Sequence, residues 1–104
     1  VRILDSNVVK DFTACHFCPD NRRGLCFEKP EPDLKKDSPV NSECSLDSFG
    51  HSGFTGTFAW ADPMNNLVVV FLSNRVYPNA EDNKLAKLGI RGKIHKAFYE
   101  AVKN

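Results

Sequence analysis

Three adjacent residues, His51, Ser52 and Gly53, stand in the stretch 48–62, SFGHSGFTGTFAWAD. Their types suit chemistry at a surface. An imidazole titrates near neutral pH and can give or take a proton. A hydroxyl beside it adds a second hydrogen-bonding group. A glycine lets another molecule come close to the backbone. On residue types alone the bland reading stands beside this one, because a histidine ahead of a strand is usually a surface or loop residue. By the same measure His16 and His95 read as surface positions, His95 on the polar margin of a helix. Phe58 and Trp60 read as core.

The second group that could do chemistry is the cysteines, Cys15, Cys18, Cys26 and Cys44. Cys15 and Cys18 form a CxxC, which invites zinc or redox chemistry. The spacings to Cys26 and Cys44 complete no second knuckle, and the CxxC follows a helical stretch instead of opening one. Plain thiols, some of them paired, are the ordinary reading; a small cysteine-based metal-binding domain is the alternative.

These residues need elements to hold them. Residues 5–14 read as a short helix that Asp5 or Ser6 can cap, with Leu4, Val8, Val9 and Phe12 on one stripe. Residues 23–29 read as a strand. Residues 28–47 carry Pro30, Pro32, Pro39 and many charges, and form a long irregular connection. It suits a segment lying over a cleft, although a solvated insertion is the simpler reading. Strands follow at 54–60 and 67–74, joined by a turn at 61–66 around Pro63. The run LVVVFLSN is apolar on both faces, so a strand covered on both faces is expected. The segment 84–104 holds the best helix, with Ile94, Ala97, Phe98, Ala101 and Val102 at helical spacing. The expected fold is α+β: an antiparallel sheet of about three strands with N- and C-terminal helices packed on it, one domain over 1–104.

The stretch FGHSGFTGTFAWADPMNNLVVVFLSNRV resembles the C-terminal segment of the serine β-lactamase-like and penicillin-binding-protein-like hydrolases. Its closest likeness is to the esterase and class C-like branch, including modules fused to bacterial glycoside hydrolases. NRRGLCF resembles that family's Arg-Gly-Leu-Gly-Phe strand, and KLGIRGKIHKAFYEAV resembles its terminal helix. The resemblance implies a partial β-lactamase-like fold. Cys26 departs from it where a glycine is usual, and Gly92 where a proline commonly starts the last helix. The family's Ser-x-x-Lys nucleophile motif is missing, since no serine here has a lysine three positions later. Tyr77-Pro78-Asn79 has the lettering of the second motif, Tyr-x-Asn, but follows the third motif where the family places it before.

The resemblance aligns His51, Ser52 and Gly53 with the third active-site motif, Lys/His-Thr-Gly. It implies that His51 and Ser52 face a substrate carboxylate or assist proton transfer, and that Gly53 admits substrate to the backbone. It also implies that the Phe54 backbone N–H is one of two oxyanion-hole donors. The resemblance makes the chain the C-terminal portion of a parent hydrolase acting on a β-lactam, a D-Ala-D-Ala-type peptide or an ester. Without the nucleophile the chain alone is expected to be inactive. A non-catalytic binding or assembly module derived from the same fold is the alternative.

Composition bounds the partners. The net charge is +1 and the basic residues are dispersed, which leaves no footprint for nucleic acid. No apolar run approaches the ~18 residues of a membrane span, and no signal-peptide pattern is visible. The first residue, Val1, suggests a processed or fragmentary chain. No cofactor or metal is expected. The expected partners are the remainder of the parent domain, its small-molecule or peptide substrate, and a second copy through sheet or helix surfaces left uncovered. The family resemblance suggests a periplasmic or otherwise extracytoplasmic place in bacteria.

Overall fold

A carboxylate begins the first helix. Asp5 is extended at the N-cap and accepts the Asn7 N–H at 2.7 Å, which starts α1, Ser6–Thr13. The computed structural model describes residues 1–103. After α1 come β1 (Phe49–Ser52), β2 (Phe58–Asp62), β3 (Leu67–Phe71), α2 (Lys84–Lys87) and α3 (Ile90–Lys103). The three strands form one antiparallel sheet in the order β1-β2-β3, an α+β arrangement as expected.

Register decides what each face carries. Gly50 lies opposite Trp60, and Trp60 opposite Val69. His51 lies opposite Ala59, and Ala59 opposite Val70. Directly opposed residues share a face. One face therefore holds Phe58, Trp60, Asp62 and Val69, and the other holds His51, Ala59, Val68 and Val70. On the first face Val40, Phe58, Trp60 and Val69 make the buried core. Phe58 and Trp60 stack, and the His95 ring meets both edge-on at 5.4 and 6.5 Å. Tyr99 packs one helical turn further, with its ring 5.0 Å from that of His95.

Several expectations change. Residues 23–29 are not a continuous strand. Cys26 has φ +68, which turns the backbone out of the extended region, and the segment folds back through Gly24 N–H to Phe27 O at 3.0 Å. Only isolated bridges remain, Arg23 to Glu28 and Glu28 to Gly50. Residues 53–57 are a turn and not the start of a strand, because Gly56 takes φ +91. A Cβ on Gly56 would meet Ser73 Oγ and Leu85 Cδ2 at 2.6 and 2.7 Å, so the position needs glycine twice over. The connection 28–47 is not simply solvated, since Val40 joins the core and Cys44 packs against it.

The largest reversal concerns the helix face. α3 buries His95 and Tyr99 and leaves Phe98 and Val102 exposed. His95 is 1% exposed, contrary to its surface reading. The apolar stripe was a true stripe, but it does not face this sheet. β3 likewise is covered on one face only, with Val68 70% and Val70 59% exposed. The uninterrupted helix is two pieces, because Gly89 at φ +60 ends α2 before α3 begins.

Surface area gives these exposures a scale. The chain presents 7413 Å², whereas a self-contained globular protein of 11.7 kDa presents about 5,900 Å². Its radius of gyration is 14.4 Å against about 13 Å for a compact domain of this length.

Candidate functional site

Strand β1 carries the triplet. His51 and Ser52 are its last two residues, and Gly53 follows at the mouth of the turn into β2. Pleating sends Gly50 toward the core and His51 toward the open face. Gly50 is tightly constrained, since a Cβ there would run into the Ala59 carbonyl and the Trp60 ring. On its outer edge β1 is held by Glu28, which exchanges two backbone hydrogen bonds with Gly50 at 2.8 and 3.1 Å. Glu28 is buried and lies 3.7 Å from Arg22 and 3.3 Å from Arg23.

The His51 ring has a defined orientation. Nδ1 is 2.8 Å from the Ser52 carbonyl oxygen. A carbonyl only accepts, so Nδ1 donates and the neutral ring keeps its lone pair on Nε2. His51 is exposed, with Phe27, Phe49, Ala59, Ala61 and Val68 around a cavity of about 200 Å³ beside it. This arrangement presents a proton acceptor to whatever occupies the open face, and a cation once the ring is protonated.

The turn after the triplet is tied from several sides. Gly53 N–H donates to Thr57 O at 2.8 Å and Gly56 N–H to Gly53 O at 2.9 Å. Arg75 N–H reaches Thr55 O at 2.8 Å, and the Arg75 guanidinium sits 4.7 Å over the Phe54 ring. The Phe54 ring is exposed, and its backbone N–H takes no acceptor among the described residues. Tyr77, Pro78 and Asn79 lie elsewhere, around a cavity of about 420 Å³ that they share with Ser73, Arg75 and Leu85. That cavity touches the turn through Ser73 and Arg75 but does not include His51.

Beneath the sheet lies a polar anchor that residue patterns did not reveal. The buried carboxylate of Asp62 accepts Ser45 N–H at 2.8 Å, Ser45 Oγ at 2.7 Å, Asn65 Nδ2 at 2.8 Å and Tyr99 Oη at 2.6 Å. Backbone N–H groups of Met64 and Asn65 add contacts at 3.1 and 3.3 Å. Burial alone would raise its pKa. The hydrogen bonds from Ser45, Tyr99 and Asn65 outweigh that and hold the carboxyl well below the usual carboxylate range. Tyr99 is pushed far up by burial and by Asp62. His95 Nδ1 accepts from Asn41 Nδ2 at 3.1 Å, and burial brings its pKa down to about 4, partly opposed by Asp62. Lys29, lowered by burial, donates to Asp47 O at 3.0 Å. Ser48 Oγ then bonds Ser45 O at 2.6 Å, one residue before β1. The anchor thus fixes where β1 starts and where His51 falls. Its one visible signal was the Asp-Pro turn at 62–63, and nothing local pointed to Tyr99 or His95 as its partners.

The cysteines do not gather. Cys15 and Cys18 are joined as a disulfide, Cys26 is an exposed thiol, and Cys44 is a half-buried thiol raised by burial. Among the described residues no group of three or more His, Cys, Asp or Glu side chains is poised to hold a metal.

A family model described as Beta-lactamase matches residues 23–91, a span that includes β1, the triplet, the turn and both other strands. The chain belongs to the beta-lactamase family. No curated protein and no solved structure matches it. For this beta-lactamase-family chain the match runs from Arg23, at the segment that clamps β1, to Arg91 in the first turn of α3. Among the described residues no helix is long and apolar enough to cross a membrane.

Proposed function

We propose that this chain is the C-terminal portion, over 1–104, of a beta-lactamase-like serine hydrolase domain. In the completed domain His51 and Ser52 face the substrate of an acyl transfer, and Gly53 gives that substrate access to the backbone. The Phe54 N–H serves as one oxyanion-hole donor, a contribution worth roughly 10²–10³ in rate when paired and aimed. The substrate class is a β-lactam, a D-Ala-D-Ala-type peptide or a simple ester. The observation that carries this reading is the position of the triplet: within the family match, on a strand whose outward residue is an oriented, accessible imidazole.

The nucleophile belongs to the remainder of the parent domain, because no Ser-x-x-Lys is present in this chain. The chain alone is therefore silent. Nitrocefin and p-nitrophenyl acetate, added to the purified chain, turn over no faster than with a His51→Ala control. Turnover above that control would overturn the dependence on the missing motif. Co-expression with the upstream portion of the parent reading frame restores hydrolysis in a His51-dependent way. A parent frame with no Ser-x-x-Lys upstream would favour instead a binding or assembly module that kept the fold and lost the chemistry.

A further inference from the structure

The Phe54 N–H sits in a turn whose closing bonds are internal, Gly53 N–H to Thr57 O and Gly56 N–H to Gly53 O. What ties that turn down is the segment that follows β3. Thr55 O accepts the Arg75 N–H at 2.8 Å and Ser73 Oγ at 3.3 Å. The Arg75 stem lies beside Gly56, with Cγ 3.3 Å from where a Cβ would stand. The Arg75 guanidinium lies 4.7 Å over the Phe54 ring. One half-buried arginine thus grips three successive residues, Phe54, Thr55 and Gly56, each through a different part of itself. Its far end is anchored as well, since Nη1 donates to Ala80 O at 3.1 Å.

Main chain and side chain contribute differently to this grip. The bond to Thr55 O uses the Arg75 backbone and survives any change of side chain. The ring contact does not. The Phe54 side chain is 73% exposed, so no core holds it in place. A guanidinium over an aromatic face is attracted by the ring's quadrupole and stacks on it. With the ring held on one side and the Thr55 carbonyl on the other, the backbone at Phe54 has little freedom left to rotate.

We propose that Arg75 is a positioning residue: seated on the Phe54 ring, its guanidinium holds the Phe54 N–H in the direction an oxyanion requires. This rests on the hydrolase reading, in which that N–H is a donor. Such a donor acts within about 2.7–3.1 Å of the developing charge. A displacement near 1 Å can cost on the order of 10² in rate. In this role Arg75 acts through Phe54 and touches no reacting atom. Its loss is felt in the transition state alone, so kcat and kcat/KM fall together.

A double-mutant cycle tests this. Arg75→Met keeps the stem and the backbone N–H and removes the guanidinium. Phe54→Leu keeps its own backbone N–H and removes the ring. In the domain assembled by co-expression with the upstream portion of the parent frame, each lowers kcat for nitrocefin or p-nitrophenyl acetate by about tenfold or more, with KM changed by less than about twofold. The double variant is no slower than the slower single one, because both break the same contact. In the chain alone, the ¹⁵N order parameter of the Phe54 amide falls from about 0.85 toward 0.6 in both variants, while that of Gly50 in β1 is unchanged. Additive losses overturn the proposal, as does a rise in KM at constant kcat. A Phe54 amide as rigid in the variants as in the unsubstituted chain also overturns it. An unsubstituted assembly that hydrolyses neither compound overturns the hydrolase reading instead, and the order parameter then decides the positioning role on its own.

Discussion

Cys26 shows what one residue does when its backbone is dictated by its surroundings. It sits at φ +68, in the left-handed region that costs an L-residue about 1–2 kcal/mol. The family resemblance had marked this position as one where glycine is usual, so the departure was visible and its meaning was not. Cys26→Gly relieves the strain but gives back some unfolded-chain entropy. A net gain of up to about 1 kcal/mol in urea unfolding is expected. A loss would mean that the side chain's contacts, in the apolar cavity it shares with Val8 and Phe12, outweigh its strain. His51 is the opposite case, a residue whose type was legible and whose geometry was not. Nothing in its neighbours' lettering says that Nδ1 is committed to the Ser52 carbonyl, because that depends on how the strand ends.

At the scale of elements, α3 carries the clearest lesson. Its apolar periodicity identified a helix correctly and its buried face incorrectly, because the pattern is shared between this sheet and a surface not covered here. The face that packs is led by His95 and Tyr99, two polar-capable rings that hydropathy discounts. The strands shifted for a related reason: the glycine at 56 reads as a small residue within a strand, while its real work is a turn. Burying His95 makes the helix–sheet contact sensitive to acid. The folded pKa of about 4 lies below the unfolded value of about 6.5, so the unfolded state binds more protons in between. Stability is complete above about pH 6.5 and falls as pH drops through 4, by about 3 kcal/mol. Asp62 adds a loss of the same sign at still lower pH. Urea melts across this window should show the slope, and His95→Gln should flatten it while lowering stability at neutral pH. An unchanged slope in the variant would remove His95 from the explanation.

For the whole molecule, fold class and family were legible because they rest on a long contiguous pattern, from the Gly-rich turn through LVVVF to the Asn-Arg that follows. The anchor around Asp62 was not, because its members are spread from Ser45 to Tyr99 and meet only after folding. The exposed surface has a measurable consequence in denaturant. The slope of unfolding free energy follows the area newly exposed, and this chain already exposes much of its own. At low micromolar concentration the urea m-value should fall near 1 kcal/mol/M, at the bottom of the usual range. A value typical of a fully buried domain of this length would show that the open faces close in solution. One feature of β1 reaches beyond stability. Gly50 and His51 are neighbours in the chain but belong to opposite faces, one jammed against Trp60 and the other facing outward. Folding therefore polices the glycine strictly and the histidine hardly at all. A lineage released from the need to hydrolyse anything could let His51 drift within few generations while Gly50 stayed put. On the proposed hydrolase reading, a histidine kept on this strand answers to use and not to folding.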